Sequence, residues 1–113
     1  MRALPEEPFD LHAQIAWKDL LASSFKKPLF VRFTASWCKP CKAIEPQFLE
    51  LGSSRRGSAT FVSIDVDDFP DHMTEYSVIG IPHFLVIRDG TVKGSYRGSD
   101  GGEMKAFVER STA

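Results

Sequence analysis

The spacing of apolar residues changes several times along the chain, and each change marks a different element. In "AQIAWKDLLASSF" (13–25), Ile15, Trp17, Leu20, Leu21 and Phe25 recur at helical steps, which predicts an amphipathic helix. "CKPCKAIEPQFLELGSS" (38–54) puts Ile44, Phe48 and Leu51 on one stripe, with Pro46 inside, where a missing amide predicts a kink. "KPLFVRFTA" (27–35) is a short apolar run that suits a central strand covered on both faces, and "ATFVSIDV" (59–66) reads as a second inner strand. "PFDLH" (8–12) predicts a short strand with Phe9 and Leu11 on one face, "SRRGS" a loop, and "FPDHMTEYSV" (69–78) a short helix opened by Pro70. "HFLVIRDGTVKGSYRG" (83–98) is a hairpin turning at Asp89-Gly90, and "SDGGEMKAFVERS" (99–111) a helix with Met104, Phe107 and Val108 inward. The order βαβαβαββα makes the chain an α/β sandwich, with helices on both faces of a mixed sheet.

Composition adds exclusions. A length of 113 residues gives one domain, 1–113, with a core that needs no staples; residues 1–7 read as a flexible N-terminal extension. Hydrophobic residues at 42% and charged residues at 26% are ordinary for a soluble globular protein. A net charge of −1 marks neither a nucleic-acid binder nor a partner of anionic membranes, and no apolar run approaches the roughly 20 residues of a membrane span. "MRALPEEPFD" has no apolar signal core, and its glutamates argue against a transit peptide, so the expected compartment is cytoplasmic. Two close cysteines in a reducing compartment suit catalysis better than a structural framework.

Both cysteines lie in "FTASWCKPCKAIEP" (33–46). A strand leads through "TASW" into a helix starting at or beside Cys38. There the free first-turn amides and the helix dipole stabilise a thiolate, and Lys39 and Lys42 add positive charge. Cys41 follows Cys38 by three residues, on the same face and within disulfide reach. Pro40 stiffens the turn at a position where its missing amide costs nothing. The arrangement offers one exposed attacking thiolate and one sheltered resolving thiol, a device for thiol–disulfide exchange. Three other readings compete. Zinc needs four ligands, and only His12, His72, His83 or scattered carboxylates could complete the shell. A cysteine hydrolase would see its nucleophile trapped by the neighbouring thiol. Two inert buried thiols are the third. No metal and no bound cofactor is expected.

"WCKPCK" with a helix proline five residues beyond the second cysteine, "SIDVDD", and "GIPHF" ahead of a "DG" hairpin together resemble the thioredoxin family over roughly residues 8 to 110. The resemblance implies a thioredoxin fold, with a central five-stranded sheet and four helices. It also implies a protein disulfide reductase without a bound cofactor, recharged by thioredoxin reductase or an equivalent dithiol reductant. In that scheme Cys38 attacks, Cys41 resolves, Trp37 flanks the thiols, and Pro82 is a cis proline facing them. Pro82 would present the backbone of Ile81 to an extended peptide, and Gly80 and Gly98 would permit close approach of a partner. The bland reading of "GIP" is an ordinary loop proline, because X-Pro bonds are mostly trans.

Three residues depart from the family's pattern. Lys39 stands where most thioredoxins have glycine; a cation there favours thiolate and implies a more oxidising pair than the ~−270 mV typical of thioredoxin, while the competing reading points Lys39 into water with little effect. Arg32 stands where a buried aspartate is usual, and a permanently charged guanidinium cannot move protons or sit unpaired in a core. Glu45, one turn beyond Cys41, is the candidate partner: a charge swap that could make Glu45 the proton acceptor for Cys41. The competing reading lets Arg32 snorkel to the surface along its own stem. His83, in place of the usual threonine, would lie near the thiols and touch substrate or tune them; a partly exposed strand-start histidine is the plainer account. His12 and His72 read as surface positions without partners. The expectation is a monomeric reductase of protein disulfides. Alternatives are a non-catalytic thioredoxin-like binding module, or a reductase dedicated to one partner such as a peroxiredoxin.

Overall fold

The computed structural model describes residues 4–112. Its elements are β1 (Phe9–Asp10), α1 (Trp17–Ser23), β2 (Leu29–Thr34), α2 (Lys39–Ser54), β3 (Thr60–Asp65), α3 (Pro70–Glu75), β4 (His83–Arg88), β5 (Thr91–Arg97) and α4 (Gly101–Ser111). The strands form one mixed sheet in the order β1-β3-β2-β4-β5. β1, β3 and β2 run parallel, while β4 pairs antiparallel with β2 and β5. This is the three-layer α/β/α sandwich expected of a thioredoxin fold.

Alternation along β2 builds both faces of the core. Leu29, Val31 and Phe33 join Val62, Ile64, Leu85 and Ile87 in one cluster, against which Leu20, Trp17 and Met73 of α1 and α3 pack. Phe30 joins Phe61, Phe84 and Val86 in the other, closed by Ile44 and Phe48 of α2 and by Met104, Phe107 and Val108 of α4. Burying each large apolar side chain contributes about 1.5–3 kcal/mol, so these two clusters hold the sheet between its helices. By the same alternation Arg32 falls on the α2/α4 face, against the Phe48 ring.

Several elements end earlier than the periodicity predicts. α1 stops at Ser23, where the hydroxyls of Ser23 and Ser24 donate to the carbonyls of Leu20 and Leu21 and compete with further helix. Phe25, expected on the buried stripe, therefore lies beyond the helix and is 65% exposed. α3 stops at Glu75, and Ser77 takes φ 56° just beyond it. α2 runs unbroken across Pro46. Of the stretch expected as a flexible extension, residues 1–3 lie outside the described residues. Leu4 packs against the first cluster, and Glu7 accepts from Ser53 and Arg56, which hold its carboxyl below the usual range.

The β4–β5 turn has Asp89 and Gly90 at φ 54° and 77°, both in the left-handed region that a two-residue hairpin requires. A bulge between Val86 and Ile87 then shifts the register, so Val92 faces Ile87 but Gly94 faces Val86. The extra residue, Lys93, places Arg97 opposite His83.

Candidate active site

Beyond β2 the chain turns so that the Cys38 amide donates to the Ala35 carbonyl at 3.2 Å, and Cys38 becomes the N-cap of α2. Its sulfur accepts from the Cys41 amide at 3.2 Å, taking one of the donors that open a helix. Pro40 lies in the first turn, where no intrahelical donor is needed. Cys38 and Cys41 are joined as a disulfide, with Cα atoms 5.3 Å apart, inside the range that bridging requires. Cys38 is not the openly exposed residue expected from the sequence. It is 4% exposed, against 0% for Cys41, because its side chain turns back onto the first turn of α2 instead of outward. Cys38 is thus the slightly less buried of the two.

Trp37 precedes the pair and is 66% exposed, its indole N–H donating to Asp67 Oδ2 at 2.9 Å. The Ile81-Pro82 bond is cis. Pro82 is buried, and its carbonyl accepts from the Gly98 amide at 3.3 Å, which ties the loop before β4 to the end of β5. Gly98 has φ 152°, and a Cβ there would meet the Tyr96 hydroxyl at 2.7 Å, so this corner requires glycine. A cleft of about 370 Å³ brings together Pro40, from between the cysteines, with Gly80, Ile81, Pro82 and Gly98. Arg97 and Ser99 complete its wall. Among the described residues, the amide and carbonyl of Ile81 take no backbone partner.

Arg32 is 2% exposed, so it does not snorkel. Its guanidinium donates from Nε to Ser63 Oγ at 2.9 Å, from Nη1 to Thr34 Oγ1 at 3.4 Å, and from Nη2 to Glu45 Oε2 at 2.8 Å. The Phe48 ring lies beneath it, 5.4 Å from centroid to Cζ. Glu45 is half exposed and reaches in from α2, one turn beyond Cys41. Both line a polar cavity of about 450 Å³ with Lys42, Asp10, Asp65 and Asp68. Desolvation of the guanidinium is thus offset by three hydrogen bonds and one charge partner that water also reaches.

His83 begins β4 between Phe33 on β2 and Arg97 on β5. Its ring is edge-on to Phe33, and its Nδ1 is buried without a hydrogen-bond partner. Burial first, and Arg97 second, hold its pKa below the ordinary 6.5. The unfolded chain therefore binds the proton first as pH falls through about 6.5, and unfolding free energy must drop with pH in that window. We expect chemical-denaturation midpoints to fall between pH 7 and 5, and the slope to flatten in His83→Thr; an unchanged slope in the variant excludes this assignment.

The other histidines lie elsewhere. His12 is exposed and accepts from the Gln14 amide at 3.3 Å. His72, expected to be a surface position without partners, is partly buried: its ring lies 4.8 Å from Trp17 between centroids, and its Nδ1 is 3.5 Å from Glu75 Oε1. α3 packs that face onto α1, which the short helical pattern could not show. Among the described residues, no three His, Cys, Asp or Glu side chains gather as a metal site. Sequence reasoning missed Asp67, Ser63, Arg97 and Ser99 as members of the site. Asp67 was within reach in "SIDVDD", and Ser63 in the register of two inner strands; Arg97 was hidden by the bulge.

A disulfide at the start of a helix, its intervening Pro40 sharing a cleft with a cis proline, on a β1-β3-β2-β4-β5 sheet, defines a thiol–disulfide exchange site. The thioredoxin family model matches residues 10–110. An H-type thioredoxin of Chlamydomonas reinhardtii is 32% identical over 105 residues, covering 91% of this chain and 93% of its own. Thioredoxin H4 of Arabidopsis thaliana is 32% identical over 89% of this chain and 87% of its own. The solved structure of thioredoxin NaTrxh from Nicotiana alata superposes with a TM-score of 0.82 at 28% identity, covering 97% of this chain and 96% of that one. The chain belongs to the thioredoxin family, and its activity is that of a protein disulfide oxidoreductase. This favours the catalytic reading over the binding module.

Proposed function

We propose that Cys38 is the attacking thiol and Cys41 the resolving thiol in the reduction of protein disulfides. The observation that carries this is the bonded pair at the start of α2, with Cys38 as the N-cap and the less buried of the two. In the reduced protein the Cys38 thiolate attacks one sulfur of a substrate disulfide; a mixed disulfide forms and the other substrate sulfur leaves as a thiol. The Cys41 sulfur, giving up its proton, then attacks Cys38 Sγ, closes the disulfide seen here and expels the second substrate thiol. Two electrons pass to substrate, and a thioredoxin reductase or equivalent dithiol reductant must return them. Trp37 and the cleft of Gly80, Ile81, Pro82 and Gly98 would seat an extended peptide, with the unpaired backbone of Ile81 offering strand-like hydrogen bonds.

Lys39, exposed at the first position of α2, favours the thiolate over the disulfide and makes the pair a weaker reductant than a glycine there would. Glu45, held by Arg32 one turn from Cys41, is the acceptor of the Cys41 proton in this scheme. The cytoplasmic, monomeric setting expected from the sequence belongs to this proposal. No helix among the described residues is long and apolar enough to cross a membrane, and relatives named chloroplastic and mitochondrial mark the other compartments that fractionation must exclude. The test is catalytic reduction of a model protein disulfide with a recycling dithiol reductant. Turnover that vanishes in Cys38→Ser supports the reading; turnover that survives ends it.

A further inference from the structure

Two polar recesses flank the dithiol region, and they differ in charge. The one around Arg32 and Glu45 is lined by Asp10, Asp65, Asp68 and Lys42 as well, and its arginine is fully engaged. The cleft beside Pro40 and Pro82 has no carboxylate in its wall, and its one charged residue is Arg97. Arg97 is exposed, and among the described residues it makes no ion pair and no side-chain hydrogen bond. Its stem passes close to Gly80, where an added Cβ would lie 3.9 Å from Arg97 Cδ. Its charge also reaches His83 across the β4–β5 ladder. The indole of Trp37, next to Cys38 in the chain, is bonded to Asp67, which precedes exposed Asp68. Of the two recesses, the one beside Pro40 and Pro82 therefore combines a wall without carboxylates with a cation that has no ion pair among the described residues.

An exposed cation on an edge strand ordinarily deters strand pairing, and Lys93, the bulge residue of β5, suits that task. Arg97 differs because the bulge turns it into the cleft where a substrate backbone must lie. We infer that Arg97 is a specificity-determining residue: the cleft selects partner proteins carrying Asp or Glu within a residue or two of the attacked cysteine, on the side that lies toward Gly98. This rests on the reductase reading and names its substrate class. Charge complementarity sets the occupant, since a guanidinium offers a fork of donors to a carboxylate and repels lysine or arginine at the same place.

The test uses disulfide-linked peptides identical except for Glu or Lys beside the attacked cysteine, with the fully reduced protein in excess. Exposed pairs contribute modestly, so the wild type should reduce the Glu peptide roughly threefold to tenfold faster than the Lys peptide at low salt. About 0.5 M salt should compress the ratio. Arg97→Glu should invert it, and Arg97→Lys should restore most of it. A Glu/Lys ratio equal in wild type and Arg97→Glu overturns the inference while leaving the reductase reading standing. Failure of the wild type to reduce either peptide removes both together.

Discussion

Replacing Cys41 with serine should convert the protein from a turning-over reductase into a covalent trap. Cys38 keeps its place at the N-cap of α2, so capture of a substrate sulfur proceeds. Release fails, because the only sulfur positioned to attack Cys38 Sγ is gone. In the wild type that attack is intramolecular, across Cα atoms 5.3 Å apart. Oriented intramolecular groups act at effective concentrations of about 10⁵ M or more, whereas a rescuing external thiol is present at millimolar levels. Turnover should therefore fall by more than about a thousandfold, and a dithiothreitol-sensitive adduct of protein plus substrate should accumulate, visible by intact mass. Cys38→Ser should neither turn over nor trap. If Cys41→Ser turned over near the wild-type rate, or if Cys38→Ser formed the adduct, the assignment of attacker and resolver would be reversed or wrong.

Local pattern carried most of the fold, and what it missed came from contacts between distant segments. The apolar runs of β2 and β3 and the stripe of α2 are read correctly because a buried strand writes its environment into consecutive residues and an amphipathic helix into a stripe repeated every three or four. The end of α1 was overrun because Phe25 continues the helical spacing, while the serine hydroxyls that end the helix act through geometry that spacing does not encode. The dithiol was legible for a similar reason: helix start, spacing and Pro40 all lie within a few residues. Burial of Cys38 was not, since it depends on which way one side chain turns at a cap. Arg97 shows the limit most clearly. Counting outward from the Asp89-Gly90 turn puts Tyr96 opposite His83, and a single bulge at Lys93 puts Arg97 there instead. A one-residue slip exchanges the faces of a strand, so the residue facing the cleft could not be named without the register.

The second large effect should come from the pair under α2. In Glu45→Leu the Arg32 guanidinium, 2% exposed, loses its only charge partner among the described residues and keeps two hydroxyl acceptors. Stranding a fully buried charge costs about 3–5 kcal/mol; here the carboxylate side is half exposed and water can reach the vacated place, so about 1–3 kcal/mol is expected. Arg32→Met removes the charge, fills over the Phe48 ring, and leaves Ser63 and Thr34 without their donor. The double variant should therefore be more stable than the sum of the two losses, with a coupling of about 1–2 kcal/mol read from urea denaturation. Stability alone does not distinguish a structural pair from a proton acceptor. Glu45→Gln does, because it keeps the shape and an acceptor oxygen but cannot take a proton. The rate at which Cys41 resolves a preformed mixed disulfide should fall by tenfold or more in Glu45→Gln, since a positioned base typically contributes about 10²–10⁴. Glu45→Asp should recover part of it. A release rate unchanged in Glu45→Gln, with the stability coupling intact, would make Arg32–Glu45 a structural ion pair and leave Cys41 to lose its proton to solvent directly.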